Sequence, residues 1–329
     1  MTDRSDTGFP PAPWGIFDAF ILLALFFYIP GWVSSAMEFL PDSFRNRWLT
    51  VQESEVSDFF DLQKTAEKED SSLEPERGSR FLKLTEKILK PESLVKLYRE
   101  TSASLGSSGT EKQTDKVLRG EHPLTVLMAA AGRIPRLKWV FFLCFTAAVI
   151  TAPITEELLF RVVFQRGLEH SINSSLVTLL IPAFLFAVIH FRQPGGIGSI
   201  GDLNRLLNGI AASVFGHLLI IFCAIAWLRG VRSAAWSDLG FTANRIFRSF
   251  LIGIGTFLIC FPLMMLAQLL FRHFFPDIVS DPIPIFVLAL GLGILFRRRR
   301  NFISIYVMHA SLNLTSFCGI LFLLKQNQL

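Results

Sequence analysis

The sequence predicts an all-α integral membrane protein, with about seven transmembrane helices around a polar cavity and a charged soluble insert. Three observations carry that class. Of 329 residues, 51% are hydrophobic and 18% charged, with mean hydropathy +0.45; soluble chains are roughly one quarter charged. The chain holds 33 Phe against 3 Tyr and 6 Trp, an excess of the aromatic ring without a polar handle, which suits lipid. Its apolar runs approach the ~20 residues that a helix needs to cross a bilayer core. This composition excludes a disordered chain, a secreted disulfide scaffold and an ordinary cytosolic enzyme. The net charge of +5 and pI near 9.2 do not point to nucleic acid. Much of the excess is Arg beside apolar spans, which reads as topology and contact with lipid headgroups.

The first predicted span is 16–37, with Pro30 and Gly31 inside it. The Pro-rich stretch before it carries Asp3 and Asp6 rather than a basic cluster, so it does not read as a signal peptide. A polar insert follows: of 27 acidic residues, 16 lie from Asp42 to Glu121. Within it, 79–100 shows helical apolar spacing at Phe81, Leu84, Ile88, Leu94 and Leu97, broken at Pro91, and reads as one or two amphipathic surface helices. The later spans are 139–154, 175–190, 209–228, 250–271, 284–296 and 302–324, with a more polar helix at 155–169. The organisation is therefore an N-terminal tail and first helix (1–37), a charged insert (38–136), and a multi-span core (137–329) with extra spans at 209–271. If each span crosses once, Arg229, Arg232, Arg245, Arg248 and the run 297–300 share one side with the N-terminus, which the Arg excess places in the cytoplasm. Arg133, Arg136 and Lys138 oppose that orientation. Cys144, Cys223, Cys260 and Cys318 all fall in apolar spans without CxxC pairing and read as small apolar residues.

Beyond Trp139 only seven acids remain: Glu156, Glu157, Glu169, Asp202, Asp238, Asp277 and Asp281. A charge within a membrane costs several kcal/mol and needs a partner and a purpose. Glu156 and Glu157 stand in AAVITAPITEELLFRVVF. Pro153 is expected to end the preceding span and Thr155 to cap a new helix, whose first turn would favour both carboxylates. Arg161 lies four residues after Glu157, so the two share a face and pair. Glu156 points about 100° away from Glu157 and has no local cation, which suits a general base. A helix start with an interfacial salt bridge and no chemistry explains this segment equally well. His190, His309 and Asn313 add to it; the last two are four apart in YVMHASLNL and share a face. A carboxylate and an imidazole can deprotonate water, and a His–Asn pair can donate to an oxyanion. The reaction class is hydrolysis of an amide by an activated water.

EELLFR (156–161), FAVIH (186–190) and HASLN (309–313) resemble the EExxxR, FxxxH and HxxxN motifs of the CPBP family, the CAAX-processing and bacteriocin-processing (Abi) intramembrane endopeptidases related to the type II CAAX prenyl protease. The stretch 284–313, with Phe286, Gly291 and Gly293, looks like the family's third motif region. The resemblance implies a helical membrane core enclosing a conical cavity. It implies that Glu156, helped by His190, activates the water, that Glu157 and Arg161 hold the site, and that His309 and Asn313 form the oxyanion site. It also implies no cofactor, a peptide or lipidated protein as substrate, and the cell membrane of a bacterium. Two departures stand out: the insert, and the two extra spans between His190 and Phe286, with 236–257 resembling a segment that members carry before EExxxR.

Two other readings compete. A zinc peptidase would use Glu156, His190 and His309 as ligands, although HExxH is absent. A non-catalytic immunity, scaffold or transport protein would keep the same helices. GIGSIG (196–201) satisfies GxGxxG but follows a membrane span, so it reads as a loop or substrate gate. His217 has no motif partner and reads as structural; His122, His170 and His273 read as interfacial.

Overall fold

The computed structural model describes residues 12–50, 127–128, 131–132, 137–172, 174–190, 200–241, 246–274 and 282–326. Most of the insert, including 79–100, lies outside them, as do Arg133, Arg136, Arg192, Arg245, His122 and residues 196–199 of the glycine-rich run. The described residues contain helices and no strand. In chain order these are α1 (Ile16–Met37), the short α2 (Asp42–Trp48), α3 (Trp139–Ser171), α4 (Ser175–Ile189), α5 (Ile200–Ala226), α6 (Ile246–Phe274), α7 (Pro282–Arg299) and α8 (Phe302–Gln326). A wider turn, Trp227–Val231, extends α5.

Helices therefore occupy all seven of the expected apolar places. Five of them (α1, α3, α5, α6 and α8) are long and apolar enough to cross a membrane. The other two are shorter: α4 has 15 residues, and α7 has 18 but ends in Arg297, Arg298 and Arg299. Fifteen helical residues span about 22 Å, less than a ~30 Å hydrocarbon core. The outer surface is apolar, as lipid requires, with Phe142, Phe247 and Ile259 each at least 70% exposed. The chain is a multi-pass membrane protein.

α3 is the central element and touches α1, α4, α5, α7 and α8. It corrects one expectation, because Pro153 does not end a helix. α3 runs through it by alternating α turns with two wider i→i+5 stretches, Thr146–Thr151 and Leu158–Gln165. The first stretch puts the Ala152 N–H on the Ala147 carbonyl, so the register shifts just where proline lacks a donor. Nor does Thr155 cap a helix. Its hydroxyl donates to the Thr151 carbonyl at 2.8 Å. Glu156 and Glu157 are thus in mid-helix, where side chains rather than a helix end must meet their charge.

The two extra helices flank the core on different sides. α5 packs on α1 and α3, and α6 packs on α7 and α8. α6 approaches α8 closely at Gly253, where a Cβ would meet the Ser304 carbonyl oxygen at 2.6 Å and Val307 Cβ at 2.8 Å. Only glycine allows that approach. Gly253→Leu is expected to push α6 off α8 and cost about 1–3 kcal/mol, read as a lower melting temperature. Gly255→Leu is the control, because a Cβ there meets nothing within 4 Å.

A second set of polar contacts involves the helix ends. The Arg232 Nε donates to Asp18 Oδ1 at 2.6 Å, and the Trp227 Nε1 donates to the same oxygen at 2.9 Å. Arg300 pairs with Glu169, Arg166 donates to the Asp238 carbonyl, and Arg297 donates to Ser175. These bonds tie the start of α1 to the ends of α3, α5 and α7.

Candidate active site

α3 supplies the charged side chains Glu156, Glu157 and Arg161. Glu157 and Arg161 are fully buried, and Arg161 Nε lies 3.4 Å from Glu157 Oε2. The four-residue spacing brings them together as expected. The guanidinium also lies over the Phe186 ring, 5.2 Å from its centroid, a favourable place for a cation excluded from water. The other oxygen of Glu157, Oε1, accepts from His309 Nδ1 at 2.8 Å. A helix 152 residues away in sequence thus completes the neutralisation of Glu157.

Glu156 faces the other way, toward two imidazoles. Its Oε2 lies 3.5 Å from His190 Nε2 and 3.7 Å from His309 Nε2. Both separations exceed a normal hydrogen bond, and Glu156 Oε2 is buried without a hydrogen-bond partner. The imidazoles are oriented from behind. His190 Nδ1 contacts the Phe186 carbonyl at 2.7 Å, and His309 Nδ1 contacts Glu157 Oε1 at 2.8 Å. Both of those partners are acceptors, so each Nδ1 carries the hydrogen and each Nε2 is turned to Glu156.

α4 delivers His190 at its C-terminal end and Phe186 one turn earlier. Phe186 is 1% exposed and touches most of the site. Its ring centroid lies 4.5 Å from His190, 5.7 Å from His309 and 5.3 Å from Phe160. Sequence reasoning placed Phe186 in a motif and gave it no task. Its four-residue lead on His190 was the available signal.

Asn313 follows His309 by one turn of α8. Its Nδ2 donates to the Ala148 carbonyl of α3 at 2.7 Å. α8 therefore holds α3 at two levels, through His309 on Glu157 and Asn313 on Ala148.

His217, which the sequence reads as structural, also lies near the site. It lies on α5 and interacts electrostatically with Glu156. Ser213 Oγ is 3.4 Å from its Nδ1, and Phe26 stacks on its ring at 6.4 Å. Its carbonyl lies 3.5 Å from Thr155 Oγ1. A single histidine in an apolar run carries no signal of this; only the packing of α5 on α3 supplies it.

The third motif region also has a packing role. The Gly293 carbonyl accepts from Gln165 Nε2 at 3.2 Å, and a Cβ at Gly293 would meet Leu179 Cδ1 at 2.6 Å. A side chain there would make the ends of Leu179 and Gln165 shift.

Among the described residues no group of three or more His, Cys, Asp or Glu side chains has metal-holding geometry. The arrangement offers a carboxylate facing two oriented imidazoles, beside a second carboxylate neutralised by Arg161 and His309. That set can bind a water, take its proton and hold the resulting charge.

Comparison with curated proteins and with solved structures finds no match. Residues 138–315 match the family described as type II CAAX prenyl endopeptidase Rce1-like. The matched range holds Glu156, Glu157, Arg161, His190, His309 and Asn313, and it also contains α5 and α6, the helices that the sequence set apart from the motifs. It covers more than half of the chain, from the start of α3 to the middle of α8, and with the helical membrane fold it makes the chain a member of the type II CAAX prenyl endopeptidase Rce1-like family.

Proposed function

We propose that this protein is an intramembrane endopeptidase that hydrolyses a peptide bond with a water activated by Glu156. The observation that carries the reading is the convergence of Glu156, His190 and His309 from three helices, with both Nε2 atoms within 3.7 Å of one carboxylate oxygen. Those gaps are too long for direct hydrogen bonds and suit a shared water.

In this reading Glu156 takes a proton from the water while His190 Nε2 accepts its second hydrogen. The hydroxide oxygen adds to the scissile carbonyl carbon. The oxyanion formed there is met by the second amide N–H of Asn313, and by His309 when its Nε2 carries a proton. Collapse breaks the C–N bond, and Glu156 returns its proton to the leaving nitrogen. Glu157 and Arg161 take no proton; they hold His309 and Glu156 in place. No cofactor enters these steps.

The family description makes a prenylated CAAX-type peptide the first substrate to test, with unlipidated peptides second. We take the membrane to be a bacterial cell membrane, with the Arg-rich end of the bundle in the cytoplasm by the positive-inside rule. Purified protein in detergent is expected to cleave quenched farnesylated CAAX peptides, and to keep its rate in EDTA or phenanthroline. Loss of activity in chelator with recovery on adding zinc would replace this mechanism with a zinc peptidase built on Glu156, His190 and His309. Failure to cleave any lipidated or plain peptide would favour a non-catalytic membrane protein of the same fold.

A further inference from the structure

We infer that Pro153 is a positioning residue for the hydrolysis proposed above, because it leaves free the backbone carbonyl that aims the Asn313 amide. The inference rests on that reading and concerns a residue that takes no part in its steps.

In an unbroken α register, proline removes the donor for the carbonyl four residues back and its ring crowds that oxygen. For Pro153 this would be Val149. The wider turn over Thr146–Thr151 changes the register, as the Ala152 N–H on the Ala147 carbonyl shows. The next donor in that series would belong to residue 153 and would fall on Ala148. Proline has none. Within a membrane a backbone oxygen needs a partner from the protein, and the Ala148 oxygen takes Asn313 Nδ2 at 2.7 Å.

An amide nitrogen carries two hydrogens. One is spent on Ala148, and that bond fixes the plane of the amide and so the direction of the second. Pro153 also lies three residues before Glu156, one helical turn away. The same proline therefore sets the register of the base on α3 and orients the oxyanion donor on α8.

The test is Pro153→Ala in the full chain, with Pro153→Ser as a second replacement. Either restores an N–H that competes with Asn313 for the Ala148 carbonyl. On a peptide that wild type cleaves, kcat is expected to fall about tenfold or more, with KM changed less than about twofold. Melting temperature should stay level or rise, since the helix regains a backbone bond. A residue that merely supports the fold would lose stability and activity together. Asn313→Ala should cost about a hundredfold in wild type and little more in the Pro153→Ala background, because the two act through one contact. Full activity of Pro153→Ala beside an inactive Asn313→Ala overturns the proposal alone. A fall in melting temperature in both proline variants also contradicts it. Full activity of Asn313→Ala removes that residue from the reaction, and the proposal with it.

Discussion

Arg161→Ala and Glu157→Ala are expected to lose about 3–5 kcal/mol of stability each, and peptidase activity with it. Both side chains are fully buried, and they face one another at 3.4 Å. Removing either leaves an uncompensated charge where water cannot reach it. Beyond Glu157, the Arg161 guanidinium lies over the Phe186 ring and interacts at longer range with Glu156. Glu157 would keep His309 at 2.8 Å but lose the Arg161 cation. The double replacement Glu157→Gln with Arg161→Met is expected to regain much of the stability of either alanine variant, since a buried ion pair exchanged for neutral groups of similar size is often tolerated. Thermal unfolding in detergent reads all three. Unchanged melting temperatures in both alanine variants would remove the buried pair from this account.

The two histidines are expected to separate stability from activity. His309 is nearly buried and donates to a buried carboxylate, so His309→Ala leaves Glu157 Oε1 without that donor and costs about 1.5–3 kcal/mol. His190 is more exposed, with 27% of its side chain accessible, and its short hydrogen bond is to the Phe186 carbonyl within α4 rather than to another helix. His190→Ala should therefore melt near wild type. Both should lower kcat by about 10²-fold or more, because each presents Nε2 to Glu156. The check is melting temperature beside kcat for both variants. Equal melting with equal kcat loss would contradict the bridging role given to His309.

The parts of this molecule that depend on local spacing are readable in the sequence. Apolar length gave the helices, and the four-residue interval gave the Glu157–Arg161 pair. The one-residue step between Glu156 and Glu157 turns their side chains about 100° apart. The rest depends on packing between distant segments. Nothing local says that His309 turns to both carboxylates, or that Asn313 bonds to α3. Pro153 does not stop the helix for a definite reason: proline stops an α helix in most settings, but here the helix widens by one residue and a side chain from another helix meets the freed carbonyl. α5 begins at Ile200, earlier than the apolar run at 209, because Asp202, Asn204, Arg205 and Asn208 are polar while still helical. Hydropathy locates lipid contact, and a helix can continue past it.

The central claim is that Glu156 acts as the base. The most direct measurement compares wild type, Glu156→Ala, and Glu156→Ala with added formate, on one cleaved peptide under identical detergent conditions. Expected are a loss of about 10³-fold in the alanine variant, an unchanged melting temperature, and partial, concentration-dependent recovery when formate supplies a carboxylate in the vacated space. Cleavage by Glu156→Ala at the wild-type rate would contradict it.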